Sequence, residues 1–245
     1  MKRFITLIAA ALVAAPLFAQ SERILLPIFT RPVFGAFGSE FHTDLRIRND
    51  ANHSVLLQGL DGGCTVLCPV PPPAFELGAG QEAKPEDFVL DGTPGRFISV
   101  AAEDVPALSM NLRVHDVSRS ALNFGTEMPI VREDDFFINR IVLLGVPTDP
   151  RFRNTLRIYT AFPTSLIVRV GDGPAVEVHV TGGGTDFEPA YAAFTNFPVN
   201  AGTVRVTVEV DPSIVTLLPI EVPMWAFMTV TNNETQAITT ITPQP

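Results

Sequence analysis

The stretch Phe41-His42-Thr43-Asp44-Leu45-Arg46-Ile47 decides the fold, because the chain repeats it as Phe152-Arg153-Asn154-Thr155-Leu156-Arg157-Ile158. The two copies lie 111 residues apart without a gap, and the match continues from Ser54 and Val55 to Ser165 and Leu166. The closing segments agree as well, since residues 113–122 align with residues 229–238 at an offset of 116. A fixed long period is typical of a chain that contains two copies of one folding unit.

The strand pattern within each copy is clear. Leu108, Met110, Leu112 and Val114 alternate with polar neighbours, and the valines at 204, 206, 208 and 210 do the same. Such alternation indicates strands with one buried and one wetted face. The chain also carries 22 prolines and 17 glycines, which interrupt any long helix. The sequence therefore predicts an all-β protein made of two tandem immunoglobulin-like β-sandwich domains.

The predicted organisation is a signal peptide at 1–19, a first sandwich at 22–130, an acidic joint at 131–137 and a second sandwich at 138–245. The first segment combines Lys2 and Arg3 with an apolar run and a small residue, Ala19, before Gln20. This is the layout of a cleavable secretory signal. No later stretch has the length of an apolar membrane span. We therefore expect a secreted protein, periplasmic or extracellular, without a membrane span.

The charge of the chain argues against two classes of partner. The formal net charge is −9, and loss of Lys2 and Arg3 with the signal peptide takes it to about −11. Such an acidic protein is a poor candidate for non-specific binding to nucleic acid or to an anionic membrane surface.

The two cysteines, Cys64 and Cys68, lie close together in one proline-rich loop. In an oxidising compartment the expected state is a local disulfide. A redox or metal site is the alternative, but two thiols alone do not complete a metal shell.

Several segments carry a resemblance to known proteins. They are Leu26-Pro27-Ile28-Phe29 with Gly35-Ala36-Phe37-Gly38-Ser39, the strand Thr43–Asn49, and the closing residues Trp225–Thr235. Together they resemble a loose group of uncharacterised secreted bacterial proteins built from tandem immunoglobulin-like modules. The resemblance covers most of the chain after the signal peptide and implies the sandwich fold. It implies no particular activity.

Catalytic and metal motifs are weak. The sequence has no Gly-x-Ser-x-Gly elbow, and its four histidines fall on wetted strand positions or in a turn. The acidic run Glu133-Asp134-Asp135 is the one candidate for calcium, which takes several oxygen ligands. A solvated linker is the alternative, since Arg132 beside the run would repel a cation. We predict no cofactor and no enzymatic activity.

Outward-facing arginines provide a candidate ligand surface. If Leu45 and Ile47 face the core, then Arg46 and Arg48 face water, and Arg157 and Tyr159 do so in the second copy. A guanidinium suits the carboxylate or sulfate groups of a polymer. Cross-strand pairing with acids is the alternative, for example between Arg169 and Glu177.

A mismatch between the copies adds Trp225 and Phe227 to this surface. The offset of 116 places them at the outward positions that Ser109 and Asn111 hold in the first copy. Either the aromatic pair packs against the other domain or a loop, or it forms an open apolar platform for a sugar or a protein. We expect burial, because a single tryptophan is usually largely buried.

These features favour a non-enzymatic binding or scaffolding module at the cell envelope or outside it, with an unknown protein or polysaccharide partner. The alternative is an assembly subunit that pairs through its strand edges. An accessory domain of a hydrolase is the third possibility, and no motif supports it.

Overall fold

The computed structural model describes residues 20–29, 32–35, 38–60, 74–88, 94–118, 124–183, 186–200, 202–212 and 221–244. The predicted signal peptide, Cys64 and Cys68 lie outside these residues. Within them the protein is all-β, as predicted, with short 3-10 turns between antiparallel strands. The described residues include no helix that is long and apolar enough to cross a membrane.

The first half of the protein, up to residue 130, forms two sheets. Its strands are β1 Ser21–Pro27, β2 Val33–Phe34, β3 Glu40–Asn49, β4 Val55–Gln58, β5 Ala74–Leu77, β6 Glu82–Ala83, β7 Gly95–Ala101, β8 Leu108–Asp116 and β9 Thr126–Glu127. One sheet has the order β1-β7-β4-β5, and the other has β2-β3-β8-β9 with β6 also beside β3. Leu45 and Leu112 from one sheet and Phe97 from the other lie in one buried cluster, so the sheets pack as a sandwich.

The joint and the second half, residues 138–244, supply the remaining strands. They are β10 Val131–Arg132, β11 Phe137–Ile138, β12 Arg140–Pro147, β13 Phe152–Thr160, β14 Thr164–Val170, β15 Val176–Gly182, β16 Ala190–Phe194, β17 Thr203–Val210, β18 Pro223–Asn232 and β19 Ile238–Ile241. The predicted hairpin between β14 and β15 is present.

The second half is also two-layered. Strand β15 pairs with β14 along most of its length and then with β16 at Thr181 and Gly182, so one continuous sheet folds over itself. Gly182 and Gly183 have φ values of +90° and +74° at this crossing, a conformation that glycine adopts without strain. Leu156 and Met228 from one layer and Leu166 and Val208 from the other share a second buried cluster.

The two halves repeat the same strand order. The sheet β1-β7-β4-β5 corresponds to β12-β17-β14-β15, and β6-β3-β8-β9 corresponds to β16-β13-β18-β19. The central pairing is also identical, because Leu45 opposite Leu112 becomes Leu156 opposite Met228. The sequence offset of 111 therefore relates β3 to β13, and the offset of 116 relates β8 to β18. The two pairs of strands have the same register. The exact domain limits remain a prediction.

The outer face of the second half closes the core of the first. Tyr159, Trp225 and Phe227 project from β13 and β18 on the face opposite their own core, and all three belong to the buried cluster of the first half. The Tyr159 ring stacks on Phe227 at 6.3 Å between centroids, and its hydroxyl donates to the Pro94 carbonyl at 3.0 Å. A Cβ on Gly95 would lie 2.7 Å from the Tyr159 ring, so this close approach requires glycine.

The joint ties the halves together along its own short strands. Residues 131–132 pair with β1, and residues 137–138 pair with β18. Two reciprocal ion pairs reinforce the first attachment, Arg132 with Glu22 at 2.7 Å and Arg23 with Glu133 at 3.1 Å.

We predict that exchanging Phe227 for the residue of the sister strand will disrupt this interface. The substitution F227N removes a fully buried ring and buries an amide, so the free energy of unfolding should fall by about 3 to 5 kcal/mol. The measurement is urea unfolding followed by tryptophan fluorescence, with red-shifted native emission in the variant.

The matched control is the reverse exchange, N111F, on the half-buried outer face of the first half. Its effect should stay below about 1 kcal/mol, as is usual for surface substitutions. Equal, small effects of both substitutions would contradict burial of Phe227 between the halves.

Candidate functional site

The outer face of the first half is exposed to solvent, and its charged side chains form ion pairs with one another. The side chains of Arg46 and Arg48 are 51% and 55% exposed. Arg46 contacts Glu82 at 3.3 Å and Asp44 at 3.4 Å, while Arg48 contacts Asp50 at 2.6 Å. The hydrogen bond from Arg48 holds the pKa of Asp50 below its ordinary value. These two predicted ligand-binding arginines therefore already have carboxylate partners.

On the second half, part of the corresponding face is buried. Tyr159 was expected to face water, and this is wrong, because Tyr159 is fully buried. Trp225 and Phe227 are 8% and 0% exposed, which excludes the open aromatic platform and confirms the expectation of burial. The reason is the same for all three residues: their face lies against the first half.

At its polar end, the same face lines a cleft between the halves. The cavity measures about 590 Å³, within the usual range of ligand pockets. The second half contributes residues of β13 and β18 and the segment after β16, and the first half contributes a mainly apolar wall. The lining from the strands of the second half includes Arg153, Thr155, Arg157, Thr229 and Thr231, and that from the first half includes Ile28, Val33, Phe41, Thr43, Val114 and Met128.

Within the described ranges, Arg157 is one of two arginines that line this cleft. Its Nη1 donates to the Tyr191 hydroxyl at 2.9 Å. Its Nε is buried and has no hydrogen-bond partner among the described residues. Within that same part of the chain, no carboxylate lies within ion-pair distance of Arg157. Its guanidinium is therefore a charged group without a counter-ion in the described part of the protein.

The other charged groups of the lining are engaged. Arg153 donates to the Gln236 side chain at 3.0 Å. Asp149, the one carboxylate that lines the cleft among the described residues, accepts two hydrogen bonds of 3.0 Å from the Arg151 guanidinium. The hydrogen bond from Arg151 lowers the pKa of Asp149.

The acidic joint does not gather the ligands of a cation. The carboxylate of Glu133 pairs with Arg23, and burial raises the pKa of Glu133. The described residues contain no group of three His, Cys, Asp or Glu side chains able to hold a metal ion, and this includes Glu133, Asp134 and Asp135. The predicted disulfide between Cys64 and Cys68 lies outside the described residues.

One Ser-His-Glu grouping occurs on the exposed surface of β14 and β15. Ser165 Oγ lies 2.8 Å from His179 Nδ1, and Glu177 Oε1 lies 3.7 Å from the same nitrogen. In a catalytic triad the hydroxyl and the carboxylate contact opposite ring nitrogens. The grouping therefore lacks triad geometry.

Comparisons with known proteins give no match among family models, curated proteins or solved structures. The cleft itself was not predicted from the sequence. Arg157 was predicted as part of a possible ligand surface, but its contact with Tyr191 and the apolar wall contributed by Phe41 and Val33 were not. The difference between Tyr191 and its equivalent in the first half, Glu82, is the feature that would have drawn attention to this contact.

We predict that Tyr159 makes stability depend on alkaline pH. Burial raises the pKa of Tyr159, so the folded protein keeps the phenolic proton where the unfolded chain, with an ordinary value of about 10, releases it. The stabilising contribution is complete below pH 10 and falls by up to about 1.4 kcal/mol per pH unit above it.

Urea unfolding between pH 8 and 11 tests this dependence by comparing the native protein with Y159F. The difference between their free energies of unfolding should be constant up to about pH 10 and should shrink above it. Y191F, which retains Tyr159, should keep the native profile. A Y159F profile parallel to the native one across the whole range would contradict the prediction.

Proposed function

We propose that this protein is a secreted, non-enzymatic binding module that holds its ligand in the cleft between two sandwiches. The sandwiches are immunoglobulin-like in the broad sense of two packed antiparallel sheets. The residues at the start of the chain, with Lys2 and Arg3 before an apolar run, support secretion. Scaffolding at the cell envelope is compatible with the same architecture.

The observation that carries the proposal is the cavity of about 590 Å³, lined by both halves of the protein. Ligand sites are mostly apolar, with a few placed polar groups, and they favour boundaries between structural units. This cleft has an apolar wall on one side and guanidinium and hydroxyl groups on the other. Because buried aromatic residues join the halves beside it, the cleft is formed before a ligand arrives.

The chemistry of the lining supports binding rather than turnover. No histidine or cysteine lines the cleft within the described residues, and Asp149 is held by Arg151. Arginine and threonine side chains hold a ligand by hydrogen bonds. A small molecule, or one group of a larger protein or polysaccharide partner, has the size that such a cavity accepts.

Filling the cleft tests the proposal. Thr155 lies in the lining on β13, so T155F places a ring in the cavity. The probe is N-phenyl-1-naphthylamine, a neutral aromatic compound that fluoresces in apolar sites. We expect one molecule to bind per native protein and T155F to weaken binding about tenfold or more, the loss of about 1.4 kcal/mol.

The matched control is D44F, the same substitution at the repeat position on the exposed face of the first half. This variant should bind the probe like the native protein. Absence of binding by the native protein, or equal binding by T155F, would contradict the proposed site.

A further inference from the structure

The two halves contain the same arginine in two different environments. Arg46 and Arg157 occupy equivalent positions, each following the core leucine that pairs with β8 or β18. Their side chains also extend toward equivalent neighbours. Arg46 Nη1 contacts Glu82 on β6, and Arg157 Nη1 contacts Tyr191 on β16.

The carboxylates that neutralise Arg46 are missing around Arg157. Glu82 lies opposite Arg48 in the strand pairing, and Tyr191 lies opposite Tyr159, which makes Glu82 and Tyr191 structural equivalents. The second acid of the first half, Asp44, corresponds to Thr155. Both acids are therefore replaced by residues with a neutral hydroxyl, while the arginine is kept.

This difference leaves a partly buried cation without a counter-charge among the residues that the structure describes. Burying a charge is costly unless it is paired. Arg157 has a buried Nε without a hydrogen-bond partner and no ion pair within the described part of the chain. In a protein of net charge −9, the described lining of this cavity contains two guanidiniums and a single, already engaged carboxylate. The cleft is thus electrostatically suited to an anion.

The remaining lining residues indicate the character of the rest of the ligand, beyond its anionic group. Aromatic and aliphatic side chains dominate the rest of the cavity, and they include Phe41, Phe152, Phe197 and Val33. Two apolar residues of the lining stay open to solvent, Val33 at 48% and Val199 at 73% exposed. An apolar ligand body would cover surface of this kind.

We infer that the cleft binds an organic anion, a carboxylate carried on an apolar body, and that Arg157 anchors the carboxylate. The inference rests on the proposed function, since it assigns the ligand class of the same cleft. Arg157 donates from its guanidinium to the carboxylate, the Thr155 hydroxyl lies beside it in the lining, and the apolar body lies against the wall of the first half.

The test compares two probes that share one aromatic body. 1-Anilinonaphthalene-8-sulfonate carries an anionic group, a sulfonate that stands in for the carboxylate, and N-phenyl-1-naphthylamine is neutral. We expect the native protein to bind the anionic probe about 10- to 100-fold more tightly, the range of a hydrogen bond to a charged group. R157Q should remove this preference, so that the two probes bind the variant with similar affinities.

Two further variants serve as controls. R46Q changes the equivalent arginine of the first half and should leave both affinities unchanged. R157K retains the charge without the planar fork and should give an intermediate preference, and it supplies the answer if R157Q does not fold. Near-native circular dichroism and melting temperature are required of each variant.

Competition distinguishes the ligand classes. 4-Phenylbutyrate should displace the anionic probe from the native protein and fail to do so from R157Q, and 4-phenylbutanol should compete weakly with both. Displacement by glucuronate but not by 4-phenylbutyrate would contradict the inference that the ligand has an apolar body. If both probes bind equally and R157Q has no effect, the assignment of an anionic ligand is wrong, although the cleft remains a binding site. If neither probe binds, the proposed function fails as well.

Discussion

The packing of Tyr159, Phe227 and Trp225 against the first half is the interaction on which the rest of the structure depends. These side chains lie on the outer face of one sandwich and in the core of the other. Each fully buried aromatic side chain contributes about 1.5 to 3 kcal/mol through burial alone. Without this packing the first core would be open on one side, and the two walls of the cleft, which come from different halves, would not be held against each other. Stability and the candidate site therefore have a common origin.

The internal repeat places one surface in two different environments. The same pair of strands keeps its register in both halves, so inward residues remain exchangeable, as Leu45 and Leu156 show. The outward residues differ between the two copies. At one end of the face, Arg48, Asn111 and Ser109 correspond to Tyr159, Phe227 and Trp225, and this end became an interface. At the other end, Asp44 and Glu82 correspond to Thr155 and Tyr191, and Thr155 lines the cleft.

Much of the fold was predictable from the sequence, because alternation and repetition are local signals. They identified the strands, the hairpin of β14 and β15, and the inward positions Leu45, Ile47, Leu156 and Ile158, all of which are buried. Alternation states on which face of its strand a side chain lies, but it does not state what covers that face. For this reason Tyr159 was wrongly placed in water, and the cleft was missed. The predicted pairing of Arg169 with Glu177 was also wrong. Arg169 pairs at 3.1 Å with Glu209, a diagonal neighbour on β17.

The central claim is that the two sandwiches form one cooperative unit because they share buried aromatic residues. Differential scanning calorimetry of the protein measures this directly, through the ratio of the calorimetric to the van't Hoff enthalpy of unfolding. We expect a single transition with a ratio of about one. Two separate transitions, or a ratio of about two, would show that each sandwich unfolds by itself and would contradict the shared core.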